Sequence, residues 1–172
     1  MSQLQIRAEE PSDVESIGPL ITRAFASAPH SDGTEATIVQ RLRRAGALTL
    51  SLVAFQWETV VGHVAFSPVT VDGQGLEWYG LGPVAVEPTL QRGGIGRALI
   101  EEGLARLRQM GAQGCVVLGE PEYYGRFGFA ATPLLTLDGV PAEYFQALPF
   151  ADETPRGTVE YQPAFSGSQT QA

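Results

Sequence analysis

Cysteine is nearly missing from this chain of 172 residues, in which Cys115 stands alone. One thiol forms no internal disulfide, and with only His30 and His63 beside it no four-ligand zinc shell can be completed. Redox and metal roles are therefore not expected, and no metal ligands are assigned. Positive charge is scarce as well. Lys and Arg number 11 against 19 Asp and Glu, a formal net charge of -8, far from the cationic face that a nucleic-acid backbone requires. No apolar run approaches the roughly 18 residues of a membrane span, and the polar start "MSQLQIRAEE" lacks the order of a secretory signal. The expectation is a soluble, cytoplasmic protein with neither nucleic acid nor membrane as partner. Any anionic ligand must then be held locally.

The length fits one domain, placed at residues 1–166, with a disordered tail expected at 167–172. Residues 4–8 alternate like a strand. Pro11, Ser12 and Glu15 read as a capping-box start for a helix with apolar positions Val14, Ile17, Leu20, Ile21, Ala24 and Phe25. A short surface helix is expected from about Glu35 to Arg44, closed by Gly46. Residues 48–56 and 60–71 read as an antiparallel hairpin, followed by a strand at 76–86 that Gly80, Gly82 and Pro83 should weaken or bulge. Ile95, Leu99, Ile100, Leu104 and Leu107 form a helical stripe ending at Gly111, and "CVVLG" at 115–119 has the continuous apolar character of a buried parallel strand. The centre is thus a right-handed βαβ unit. A short helix starting at Pro121 and then strands joined by irregular loops complete the chain.

The stretch "LQRGGIGRALIEEGL" at 90–104 lies between strand and helix. Backbone N–H groups freed of side chains converge there, and the helix dipole adds about half a positive charge, which suits phosphate. A Walker loop is excluded because no glycine is followed by Lys and then Ser or Thr. A dinucleotide fingerprint fails too: Gly94 and Gly96 begin it, but Leu99 occupies its last place and no acid follows about twenty residues on. A third pattern, Q/R-x-x-G-x-G/A after a strand, is filled by Gln91, Gly94 and Gly96. With it the chain resembles the GNAT superfamily of N-acetyltransferases. A second family mark, Y-x-[KR]-x-G-F, is matched downstream by Tyr124, Arg126, Gly128 and Phe129. Where many members carry an asparagine near position 120, this chain reads Gly119, Glu120, Pro121.

The resemblance implies an α/β fold, a mixed, splayed β-sheet flanked by helices on both faces. It implies acetyl-CoA as cosubstrate and direct transfer of the acetyl group to a primary amine of a small molecule or protein. The pyrophosphate would lie on Gln91, Arg92, Gly93, Gly94, Ile95, Gly96 and Arg97, with Val84 and Val86 pairing to the pantetheine arm through their backbones. Tyr124 maps onto the family's general acid; the competing reading is a half-buried packing aromatic. Glu77, Glu87 and Glu120 are candidate bases by proximity, Glu120 adjoining the tyrosine motif, each set against the reading of a solvated carboxylate. His63 reads as a packed or hydrogen-bonded strand residue and Cys115 as core; Trp57 and Trp78 either line an acceptor cleft or fill the core, the core being preferred. A non-catalytic acyl-CoA-binding sensor or regulatory module is the alternative. The apolar end "YFQALPF" could cover a partner or the chain's own core, leaving monomer and homodimer open.

Overall fold

The computed structural model describes residues 3–29 and 31–166, so His30 and the expected tail at 167–172 lie outside it. Strand β1 (Gln5–Ala8) leads through a 3-10 turn into helix α1 (Val14–Phe25), and helix α2 (Glu35–Arg44) follows. The start of α1 departs from the expected capping box. Asp13, not Ser12 or Glu15, closes the turn, its carboxylate accepting the Glu10 N–H at 2.7 Å and an Arg7 N–H at 2.8 Å. The carboxylate also brings the negative charge that pairs with Arg7, which a serine hydroxyl lacks.

Strands β2 (Leu50–Gln56), β3 (Thr59–Val71) and β4 (Gln74–Val86) form an antiparallel meander. Helix α3 (Ile95–Gln109) then crosses to β5 (Gly114–Leu118), which lies parallel to β4. Helix α4 (Pro121–Tyr124) leads to β6 (Leu135–Thr136), β7 (Phe145–Pro149) and β8 (Gly157–Glu160). The sheet runs β1-β2-β3-β4-β5-β7, with β8 pairing to β3 and β6.

Alternation divides the core between the two faces. Leu52, Ala54, Val64 and Phe66 meet the expected α3 stripe of Ile95, Leu99, Ile100, Leu104 and Leu107. Val53, Ala65 and Ala85 turn to the opposite face and meet Ile17 and Ile21 of α1 and Val39 of α2. Trp78 is buried as expected. Trp57 is not core: it is 70% exposed in the β2–β3 turn, where its φ of 57° marks a tight reversal that carries the ring out of the sheet. The "YFQALPF" stretch becomes β7, and Phe145, Gln146, Ala147 and Leu148 are buried within the chain's own core.

Two features of β4 create the site. Val64 pairs with Val84 and Phe66 with Leu81, so β4 spends one extra residue there, the expected bulge at Gly82 and Pro83. The parallel pairing with β5 covers only Trp78, Tyr79 and Gly80 against Gly114, Cys115 and Val116. Beyond Gly80 the two strands part, and β5 continues on its other edge with β7.

Candidate active site

Past the parting point, β4 offers an open backbone edge. The Glu87 N–H donates to Val61 O at 2.9 Å, so position 87 faces β3. By the two-residue alternation of an antiparallel ladder, Val84 and Val86 turn their N–H and C=O groups away from β3, into the gap. The Val86 carbonyl is met by Gln91 Nε2 at 3.1 Å, which ties the start of the glycine loop to the end of the strand.

That loop is built for an anion. Arg92 at φ 69° and Gly94 at φ 94° are both left-handed, and such turns aim successive N–H groups at one point. Gly94 is the N-cap of α3, and the first helical bond, from the Ala98 N–H to Gly94 O, is 3.0 Å. The amides of Ile95, Gly96 and Arg97 precede any helical acceptor and stay available. Ile95 contributes only this amide, since its side chain is buried in the core and anchors the helix start. Gly93 passes close to Leu90, where a Cβ would lie 3.3 Å from the carbonyl oxygen.

A cavity of about 460 Å³ joins this loop to the tyrosine motif. Val84 and Val86 form one wall, Gln91, Arg92, Gly94, Gly96 and Arg97 a second, and Tyr123, Tyr124 and Arg126 a third. Among the described residues three guanidinium groups and no carboxylate line it, which fits a ligand carrying several phosphate charges. Arg97 is also held along the helix by Glu101 at 3.2 Å, and Arg126 lies over the Tyr123 ring at 4.7 Å. Tyr123 and Arg126 were not among the expected cavity residues. The signal was present in the tyrosine motif, which places them one residue before and two after Tyr124.

Tyr124 is packed on one side and faces the cavity on the other. Its ring packs edge-on against Tyr123 at 5.0 Å and Phe129 at 6.0 Å, while the side chain lines the cavity. Burial, with Tyr123 and Cys115 nearby, pushes its phenol up to about 12. The group is therefore protonated at neutral pH and suited to giving a proton.

The three carboxylates fall in different places. Glu120 is exposed at the N-cap of α4, where its carbonyl accepts the Tyr123 and Tyr124 N–H groups at 3.1 and 3.0 Å. Glu87 is paired with Arg23 of α1 at 3.1 Å. Glu77 is exposed on β4 before its paired segment, at the closed end of the gap. His63 is fully buried on β3, its Nε2 2.7 Å from Ser51 Oγ, which bonds in turn to Glu9, itself gripped by Arg43 at 2.7 and 2.8 Å. Burial lowers His63 to about 4, which keeps it neutral. Cys115 is buried and its thiol pushed up by that burial, an inert core residue.

A larger open depression, about 750 Å³, lies on β1 and the β2–β3 turn around Arg7, Phe55 and Trp57 and shares no residue with the cavity. Among the described residues no helix is long and apolar enough to cross a membrane, and no cluster of three or more His, Cys, Asp or Glu is placed to hold a metal.

Comparison with known proteins agrees with this geometry. Residues 5–132 match the family model described as an acetyltransferase (GNAT) domain. The chain is 45% identical over 125 residues to the uncharacterized N-acetyltransferase YhbS of Escherichia coli K12, covering 72% of each protein. It superposes on a GNAT family acetyltransferase from Brucella melitensis, crystallised with acetyl-CoA, with TM-score 0.86 and 48% identity over 95% of this chain and 98% of that one. The crystal structure of E. coli YhbS with CoA gives TM-score 0.89 and 38% identity over 96% and 93%. The chain belongs to the GNAT family of N-acetyltransferases.

Proposed function

We propose that this protein transfers an acetyl group from acetyl-CoA directly to a primary amine. One juxtaposition carries the reading: the left-handed Arg92–Gly94 turn opening α3, the unpaired edge of β4 and the Tyr124 side chain converge on a single cavity. The crystal structures of its relatives with acetyl-CoA and CoA support the choice of ligand.

Each part has a task that its chemistry suits. The amides of residues 93–97 hold the pyrophosphate, each charge-assisted hydrogen bond being worth about 1.5 to 3 kcal/mol. Arg92, Arg97 and Arg126 supply the cationic side chains lining the cavity among the described residues, in a chain whose 11 Lys and Arg positions are all arginines. Val84 and Val86 pair with the amides of the pantetheine arm as an added strand would. Tyr124 donates its proton to the departing thiolate sulfur as the amine nitrogen bonds to the acyl carbon. Glu120, exposed at the start of α4, is the proposed route for the amine proton. An alkylamine is neutral in only about one molecule in 2,500 at pH 7, so the help required of a base grows with the acceptor's pKa. The net negative charge favours a cationic acceptor by steering its approach.

Calorimetric titration with acetyl-CoA, with ATP and NAD as controls, tests the cofactor. Release of free CoA across a panel of amines tests the transfer. Tyr124→Phe is expected to keep acetyl-CoA affinity and to slow turnover about 100-fold or more, the range of a lost general acid. Binding with no turnover on any amine would favour the sensor reading, and equal affinity for all three nucleotides would refute the site.

A further inference from the structure

We propose that Tyr123 is a cofactor-binding residue: its hydroxyl donates a hydrogen bond to the phosphate esterified to the pantetheine arm, where the α3 turn meets β4. The proposal rests on the reading of the cavity as the acetyl-CoA site. It gives a task to a side chain that lines the cavity but precedes the tyrosine motif and belongs to neither family pattern.

Tyr123 lies in α4, which follows β5 and so stands on the β5 arm of the gap. Its half-buried side chain reaches across to the other arm. The Cβ position of Gly96, in the first turn of α3, lies 3.5 Å from Tyr123 Oη, 3.5 Å from Val86 Cγ2 and 4.0 Å from Val84 Cγ1. A helical Cβ tilts toward the helix N-terminus, the end toward which the free amides of the first turn also point. Tyr123 Oη therefore stands on the amide side of Gly96, beside the N–H groups assigned to the anion.

The ring is held there from several directions. Arg126 lies over it at 4.7 Å, while Tyr124 and Phe127 pack edge-on at 5.0 and 5.6 Å. The Tyr123 and Tyr124 rings stand at 88° to each other and address different arms. Tyr124 lies against Gly119, just after β5, where a Cβ would fall 2.4 Å from Tyr124 Cε2, whereas Tyr123 ends at α3 and β4.

Chemistry selects what the hydroxyl meets. It makes no hydrogen bond to another described residue. Burial raises the phenol above its usual value, so at neutral pH it has a proton to give. With Arg126 on the ring and Arg97 next to Gly96, the acceptor that fits is an anion. Its place along the ligand follows from the neighbours. Gly96 belongs to the amides that hold the pyrophosphate, and Val84 and Val86 to the edge that pairs with the pantetheine arm. The group lying between them is the phosphate on the pantetheine side, and not the one on adenosine. A packed ring also loses less freedom on binding than the exposed side chains of Arg92 and Arg97. Tyr123 thus sets the register of the ligand, fixing how far along β4 the thioester falls toward Tyr124.

The test is calorimetry of acetyl-CoA on the full chain, with displacement of acetyl-CoA by each half of the cofactor, 4′-phosphopantetheine and adenosine 3′,5′-bisphosphate. Tyr123→Phe keeps the ring and its packing, so Tm is expected to hold. The expected result is an acetyl-CoA Kd weakened about tenfold, the lower scale of one charge-assisted hydrogen bond. The loss should recur with 4′-phosphopantetheine and be absent with the bisphosphate. Tyr124→Phe, expected to keep acetyl-CoA affinity, is the control. Unchanged acetyl-CoA affinity in Tyr123→Phe, equal loss for both halves, or a loss confined to the adenosine half would overturn the proposal and leave the site standing. Failure of the unaltered protein to bind acetyl-CoA would instead overturn the site and this proposal together.

Discussion

Gly96→Ala is expected to move stability and cofactor affinity in opposite directions. Gly96 lies in the first turn of α3, and an added Cβ would meet Tyr123 Oη and Val86 Cγ2 at 3.5 Å and Val84 Cγ1 at 4.0 Å. These are ordinary contacts, so the folded chain accepts the methyl without strain. Alanine in place of glycine within a helix is worth about 0.5 to 1 kcal/mol, which in a domain of this size raises Tm by about 1 to 4 °C. The methyl, however, stands in the cavity between the loop and β4, over the amides assigned to the pyrophosphate. Blocking one charge-assisted hydrogen bond of about 1.5 to 3 kcal/mol weakens acetyl-CoA by roughly 10- to 150-fold. Thermal melts and calorimetry on the same preparation read both effects. Gly94→Ala is the contrast: nothing lies within 4 Å of its Cβ, but its φ of 94° costs an alanine about 1 to 2 kcal/mol, so Tm falls. A stabilised Gly96→Ala protein with undiminished affinity would refute the assigned path of the cofactor.

Three further outcomes follow from the same geometry. Gly103→Ala places a Cβ 2.2 Å from the ring of buried Phe66, and overpacking of this kind costs about 1 to 3 kcal/mol; adding Phe66→Leu should recover part of the lost Tm. His63, lowered to about 4, binds a proton less readily folded than unfolded, so its contribution is complete above the unfolded value near 6.5 and is lost as pH falls from there to about 4. The shift corresponds to about 3 kcal/mol, and His63→Gln should flatten the melting profile across that window. Glu9, where burial is outweighed by hydrogen bonds from Arg43 and Ser51, sits below the usual carboxylate range and withdraws its support at still lower pH. The amides of Val84 and Val86 face the gap, so their hydrogen exchange should slow when CoA is added while that of Ala85 stays the same.

Local chemistry made much of this readable from the chain. The α3 stripe, the β2–β3 hairpin, the bulge announced by Gly82 and Pro83, and the glycine loop all depend on residues near one another in sequence. The misreadings were of other kinds. Trp57 is apolar, and burial is its usual fate, but the φ values of 57° and 59° at Trp57 and Glu58 make a tight turn that carries the ring out of the sheet. Asp13 outcompeted Ser12 as the cap because Arg7, on the preceding strand, needed the same carboxylate. The joinings of β8 to β3 and of β7 to β5 carry no such mark, since each pairs strands distant in sequence and leaves no periodic signal.

The same long-range pairing accounts for the open gap. An unpaired backbone edge inside a sheet leaves donors and acceptors without partners, a cost that folding normally avoids by closing the ladder. Here the β4 bulge turns that strand away beyond Gly80, while β5 is held on its other edge by the ladder with β7 through residues Gly114 to Leu118 and does not follow it. Neither arm can recover the lost pairing from the other. What fills the space must therefore bring its own amides along the β4 edge and its own anion to the α3 turn. A long, flexible, phosphorylated thioester meets both demands, and a nucleotide alone meets only the second.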